Sequence, residues 1–185
     1  MRHAKAAQFI LAAALAGIAV GIGGLPAPRL ANTISIGQVA GSPGDTVSLP
    51  VTLESAGDCS ALLLRLEYDP GALEAPSAGG GAILAPAHSF DAFSPQPGRL
   101  NLVACGLIEI APFASRTGVV AELHFRIRND APKGPIEIAL TSAGTPDLPN
   151  SNLLDAAGAT LAHGVAAGRV IVKPRPASAK TWMLY

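Results

Sequence analysis

The chain has 185 residues, with 13 basic and 13 acidic side chains and no net charge. A balanced charge gives no electrostatic reason to expect nucleic acid or an acidic surface as partner. Gly (20) and Pro (16) make up about a fifth of the chain, which is high for a helical protein and below the level that marks disorder.

Residues 1–31 read as a targeting segment. Arg2, His3 and Lys5 form a basic start, and Ala6 to Leu25 is apolar except for Gln8. This is the layout of an export signal. The apolar run is also about long enough to span a bilayer as an uncleaved anchor. Either way, residues 32–185 are expected outside the cytoplasm, secreted or at the cell surface. Once that segment is set aside, the remainder suits one domain with a single core. Cys59 and Cys105 are the only cysteines. An oxidising compartment favours a bridge between them, and two buried free thiols are the alternative.

The elements that follow are strands and turns. Thr33 to Val39 alternates Ile34 and Ile36 with small and polar residues, and 41–45 is a Gly/Pro loop. Thr46 to Glu54 points Val47, Leu49, Val51 and Leu53 inward, with Pro50 on the outward parity, which suits an edge or a bulge. Cys59 to Tyr68 carries the clearest period of two: Leu62, Leu64, Leu66 and Tyr68 on one side, Leu63, Arg65 and Glu67 on the other. Asp69-Pro70-Gly71 ends that strand in a turn, and Ala72-Leu73-Glu74 is extended again. Residues 75–88 are Ala, Gly and Pro rich and read as a flexible loop. Strands are expected at Ser89 to Ser94 and Arg99 to Cys105, with 106–117 irregular. Val119 to Arg128 turns Leu123, Phe125 and Ile127 inward and Glu122, His124 and Arg126 outward. A turn at 129–134 leads to a strand at Pro135 to Ser142. Residues 143–157 read as a loop with a short turn at Asn152 to Ala156. A short strand is expected at Gly158 to His163, and Gly168 to Val172 closes the domain. About nine short strands between Gly/Pro turns predict an all-β antiparallel sandwich. Lys173 to Ala179 has the composition of a linker, and Lys180 to Tyr185 (KTWMLY) is an apolar tail.

Four pieces in order carry a family resemblance: ISIGQVAGSPGDTVSLPVTL (Ile34 to Leu53), SALLLRLEYDPGALE (Ser60 to Glu74), SFDAFSPQPGRLNLV (Ser89 to Val103) and GVVAELHFRIRNDAPKGPIEIAL (Gly118 to Leu140), closed by GRVIV. Together they resemble the cohesin domain, the module of bacterial scaffoldins that binds dockerins. The resemblance implies a nine-stranded jelly roll over residues 32–172 and a dockerin-like protein partner whose calcium belongs to the partner. It implies that the third, sixth, fifth and eighth strands form the partner-facing sheet. With Val119–Arg128 taken as the eighth, the outward parity selects Leu63, Arg65, Glu67, Asn101, Val103, Glu122, His124 and Arg126. Leu63 stands where the family usually carries a polar contact. The resemblance also makes the strands of Cys59 and Cys105 antiparallel neighbours, with both sulfurs on the outward face and a disulfide between them. The tail KTWMLY is similar to the opening strand of clostripain-like cysteine peptidases. That likeness implies a further reading, an accessory domain in front of a peptidase.

Catalysis has little footing. His88, His124 and His163 lack the spacing of a metal site. The carboxylates Glu54, Glu67, Asp69, Glu74, Asp91 and Asp147 read as turn formers or solvated groups. No DxDxDG calcium loop, nucleophile elbow or phosphate loop is present. No enzyme activity, cofactor or metal is expected. The rival to protein binding is a carbohydrate-binding module of the same superfamily, which would grip glycans with a planar strip of exposed aromatics. Tyr68 and Phe125 lie on inward parities, and Phe90 and Phe93 differ in parity, so that strip is not expected.

Overall fold

The computed structural model describes residues 32–84, 86, 88–106, 111–141 and 151–175. The targeting segment 1–31, Asp147 and the tail Lys180–Tyr185 lie outside the described residues. Every element named among the described residues is a strand. They are β1 (Asn32–Ile36), β2 (Gln38–Gly41), β3 (Thr46–Ser55), β4 (Ala61–Tyr68), β5 (Leu73–Gly80), β6 (His88–Phe93), β7 (Arg99–Gly106), β8 (Thr117–Ile127), β9 (Gly134–Leu140), β10 (Asn152–Leu154), β11 (Gly164–Ala166) and β12 (Gly168–Val172).

Two sheets stack face to face. The smaller runs β11-β1-β3-β8-β5. The larger runs β2-β12-β9-β4-β7-β6, with β10 added to β4. Their inner faces meet in one core, because each strand turns its apolar parity the same way. Leu62, Leu64, Leu66 and Tyr68 of β4 are buried, as are Val47, Leu49, Val51 and Leu53 of β3 and Leu123, Phe125 and Ile127 of β8. The Tyr68 ring meets Phe125 edge-on, with centroids 5.1 Å apart. That is the arrangement ring quadrupoles favour. Between Val51 and Thr52 the β3–β8 register slips by one residue. Val120 is the extra residue, so Val120 and Ala121 are both buried despite being adjacent in sequence.

Among the described residues twelve strands are named, against about nine expected. The surplus comes from the opening strand and from two three-residue strands, β10 and β11. The opening strand breaks at Gly37 and changes sheets: β1 pairs with β3, whereas β2 pairs with β12. The backbones are so close at this switch that a Cβ on Gly37 would stand 2.8 Å from Pro50 Cδ. The Gly37 N–H donates to Pro50 O at 2.8 Å. The carbonyl and amide of one strand residue point to the same side, so the donor Pro50 lacks would face the point where β1 has ended. This explains a proline inside a strand that has neighbours on both sides. The pairing is not purely antiparallel either. β1 with β11 and β2 with β12 are parallel.

Three local expectations are corrected. Residues 75–80 are not loop but most of β5, paired with β8. Their Ala, Gly and Pro content is tolerated because β5 is an edge strand and Pro76 sits where the register shifts between Glu74 and Ser77. Ala75 takes a φ of 49° at that bulge. Asn152–Leu154 is a strand on β4, and the turn falls just after it, where Asp155 accepts from the amides of Ala157 and Ala159. Gly158–His163 makes only an isolated bridge through Thr160, and the strand forms at Gly164–Ala166. The Asp69 turn matches its expectation, with the carboxylate accepting from Gly71 N–H at 2.8 Å.

The disulfide is also corrected, since both cysteines are free thiols. Cys105 pairs across the ladder with Ala61, so Cys59 lies just outside β4, where strand parity no longer directs its side chain. Its thiol turns into the core, 97% buried, and donates to Ser55 Oγ at 3.1 Å. The Cys105 sulfur is half-buried and lies 3.3 Å from Ser89 Oγ.

Candidate functional site

The outer face of the larger sheet is built from the parity its strands do not send to the core. Cross-strand register arranges those residues in rows. Phe93 of β6 faces Asn101 of β7, which faces Arg65 of β4. One row along, Asp91 faces Val103, which faces Leu63. In a third row Arg99 faces Glu67, which faces Ala139 of β9. Glu137 and Arg169 stand across from each other toward the β12 side.

Apolar and charged side chains interleave on this face, with Arg65 and Asn101 in the middle row and Phe93 on the edge strand β6. Leu63 and Val103 are half-buried neighbours, and Phe93 is 47% exposed. Arg99 Nε and Glu67 Oε1 form an ion pair at 3.3 Å, a half-exposed contact worth ~0.2–1 kcal/mol at most. Arg65 and Asn101 differ from expectation. Both lie on the outward parity yet are only 7% and 6% exposed. The Arg65 backbone is fixed at the gap in β4's flank between β9 and β10. Its N–H donates to Ser151 Oγ at 3.1 Å, and its carbonyl accepts from Thr141 N–H at 2.9 Å. Asn101 Oδ1 is buried and has no hydrogen-bond partner among the described residues.

Of the eight expected site residues, five share this face: Leu63, Arg65, Glu67, Asn101 and Val103. Glu122, His124 and Arg126 do not join them. They belong to β8, which pairs with β3 and β5 in the smaller sheet, so they point away from the other five across the thickness of the sandwich. The strand that does flank β4 is β9. Counting Pro135–Ser142 rather than Val119–Arg128 as the eighth strand puts Glu137 and Ala139 on this face. The parity of Ser89–Ser94 puts Asp91 and Phe93 there.

The two outer faces differ in character. That of the smaller sheet is polar. Ser48 Oγ and His124 Nδ1 share a hydrogen bond at 2.8 Å, and Glu74 is paired with Arg126 at 3.7 Å and with Arg128 at 3.4 Å. The Ser48–His124 pair lies open on a flat sheet, and among the described residues no carboxylate is hydrogen-bonded to the imidazole. It therefore lacks the orienting third group that activates a serine. The Asp130 carboxyl is held below its ordinary value, first by the Arg128 hydrogen bond, then by a backbone hydrogen bond at Asp130, and then by the Arg128 charge. Among the described residues no three His, Cys, Asp or Glu side chains gather as a metal site would need. His88 is a core group, with Nε2 2.9 Å from Ala111 O and its ring edge-on to Phe113. Among the described residues Phe93 is the only exposed aromatic, since Tyr68 and Phe113 are buried and Phe90 packs on the core. One ring cannot make the planar strip a glycan chain stacks on.

A family model described as the cohesin domain matches residues 32–166. Cellulose-binding protein A of Clostridium cellulovorans is 27% identical over 141 residues, which are 76% of this chain and 7% of that protein. The chain thus spans a small part of that relative. Among solved structures, the sixth cohesin of scaffoldin B from Acetivibrio cellulolyticus, determined in complex with a dockerin, is 27% identical with a TM-score of 0.66. The match covers 77% of this chain and 99% of that one. A non-cellulosomal cohesin from the archaeon Archaeoglobus fulgidus shares the fold at 16% identity and a TM-score of 0.61, covering 77% of this chain and 91% of that one.

Proposed function

The chain belongs to the cohesin family, and on that premise we propose that it is a non-catalytic module that captures a dockerin-like protein on the outer face of its larger sheet. The observation that carries the choice of face is the contrast between the two outer surfaces. One joins Leu63, Val103 and Phe93 in adjoining rows, and the other presents paired charges and a Ser–His hydrogen bond. Neighbouring exposed apolar side chains on a sheet face are a common mark of a protein interface. The relatives crystallised with dockerins support the partner class. Leu63, Arg65, Glu67, Asn101 and Val103 keep their role in this reading, joined by Asp91, Phe93, Glu137 and Ala139. Glu122, His124 and Arg126 leave it.

The same reading places the module outside the cell, from the basic-then-apolar layout of residues 1–31. It assigns the module to an extracellular polysaccharide-degrading or cell-surface assembly. The name of the Clostridium cellulovorans relative, a cellulose-binding protein, supports that setting.

The test is capture of calcium-loaded dockerin modules by the immobilised domain. Leu63→Asp with Val103→Asp places two carboxylates at the centre of the face, and neither side chain belongs to the core. The double variant is expected to stay folded and to lose at least tenfold in affinity, because an unpaired charge buried in an interface costs upwards of ~2 kcal/mol. Glu122→Ala with Arg126→Ala, on the opposite face, is expected to bind normally. The reverse pattern in the two double variants would move the interface to the smaller sheet.

A further inference from the structure

We propose that a cavity at one end of the sandwich is a docking pocket for an aromatic side chain, and that its occupant is Trp182 of this chain's own tail. The cavity, of about 430 Å³, opens where the β4–β5 turn, the start of β5 and the β6–β7 turn come together. It belongs to the strand ends and to neither outer face. Tyr68 and Leu73 are buried and form its base. Pro70, Pro76, Pro95 and Pro97 line it above them, and all but the half-buried Pro76 are exposed. Ala75, also in the lining, holds a φ of 49°. Strained positions of this kind cluster at ligand clamps.

The lining selects the class of occupant. Four pyrrolidine rings present C–H groups and no backbone donor. Such a wall suits the negative face of an aromatic ring. Proline-rich peptides settle in aromatic grooves by the same contact with the roles exchanged. Charge selects nothing here. Glu74, the one charged residue of the described lining, is paired with Arg126 and Arg128, and Arg128 is paired in turn with Asp130. Trp182 is the only Trp of the chain and sits in the apolar run KTWMLY that follows the linker. The path to it is short. Arg175, the last described residue, donates from Nη2 to Pro43 O at 2.6 Å, and a Cβ on Gly44 would stand 2.9 Å from the same nitrogen. Gly44 N–H donates to Ile127 O at the end of β8, and Ile127 faces Leu73 at the base of the pocket. β3, β8 and β5 are successive neighbours, so Arg175 stands about two strand spacings, ~10 Å, from the pocket. The stretch from Arg175 to Trp182 reaches up to ~23 Å when extended.

Because Trp182 is the only Trp, its fluorescence in the full chain reads the pocket directly. Its emission should be blue-shifted, and acrylamide should quench it at least threefold less than it quenches the free peptide KTWMLY. Pro95→Glu places a carboxylate on the exposed rim and should return both readings to those of the free peptide. Thermal melts separate this effect from a folding defect. Trp182→Ala should lower the midpoint by roughly 2–4 °C. Pro95→Glu should add nothing further in the Trp182→Ala chain, because the two changes break one contact. Additive losses overturn the proposal. So does a parent emission that matches the free peptide, which leaves the pocket to an aromatic side chain of a partner. Shielding that Pro95→Glu leaves intact overturns it by seating Trp182 elsewhere, and shielding lost on dilution overturns it by assigning the tail to a second copy.

Discussion

At the scale of single residues, each cysteine sulfur lies beside a serine hydroxyl. Ser55 holds the Cys59 thiol at 3.1 Å inside the sandwich, and Ser89 lies 3.3 Å from the Cys105 sulfur. Burial pushes the Cys59 thiol above its ordinary value, further than the Ser55 hydrogen bond pulls it down. The thiolate is the nucleophile, and a raised pKa leaves less of it at neutral pH. Alkylation of the native protein should therefore proceed in two phases, Cys105 first and Cys59 much later. The slow phase should accelerate as pH rises. Denaturation without reductant should release two titratable thiols, and finding none would restore the bridge. The bridge was an inference from compartment and resemblance. What it lacked was the point at which β4 begins: parity carries a side chain's direction only while the strand lasts, and Cys59 lies two residues before Ala61.

At the scale of elements, the inward parities of β3, β4 and β8 were legible because a half-buried strand writes its burial into the sequence with a period of two. The sheet that each strand joins was not. Ala121–Ile127 and Pro135–Leu140 both alternate, and nothing local distinguishes a strand that pairs with β3 from one that pairs with β4. That choice rests on pairings far apart in sequence, and it is why three of the eight expected residues lie on the opposite face from the other five. β5 was hidden for a different reason, since an edge strand with a bulge can be built from Ala, Pro, Ser and Gly once β8 supplies its hydrogen bonds. Tight crossings are equally silent in the sequence. A Cβ on Gly168 would run into Ile36 Cγ2 and come within 2.7 Å of Gly37 O, whereas one on Gly79 would meet nothing within 4 Å. Gly168→Ala should cost about 1–3 kcal/mol in chemical denaturation. Gly79→Ala should be neutral or stabilising by up to ~1 kcal/mol. Equal effects would mean that the sheet switch at Gly37 is looser than the close approach suggests.

At the scale of the whole molecule, the opening strand links the two sheets, and its second half, β2, runs parallel to the closing strand β12 from Gln38↔Arg169 to Gly41↔Val172. Further backbone bonds continue this contact at both ends, Arg169 N–H to Gly37 O at 3.3 Å and Lys173 N–H to Gly41 O at 2.8 Å. Parallel first and last strands leave the sandwich at opposite ends. Tension applied through the chain on either side therefore runs along the strands, and the bonds between β2 and β12 must slide and fail together rather than open one by one. Single-molecule extension between residues 32 and 173 should require a higher force than extension between Gly134 and Val172, which face each other across β9 and β12 and would unzip. Val39→Pro, which takes a backbone donor out of β2, should lower the first force and leave the second nearly unchanged. The seam that closes the fold would then also make the domain a tension-bearing link, able to hold its partner while the chain around it is pulled.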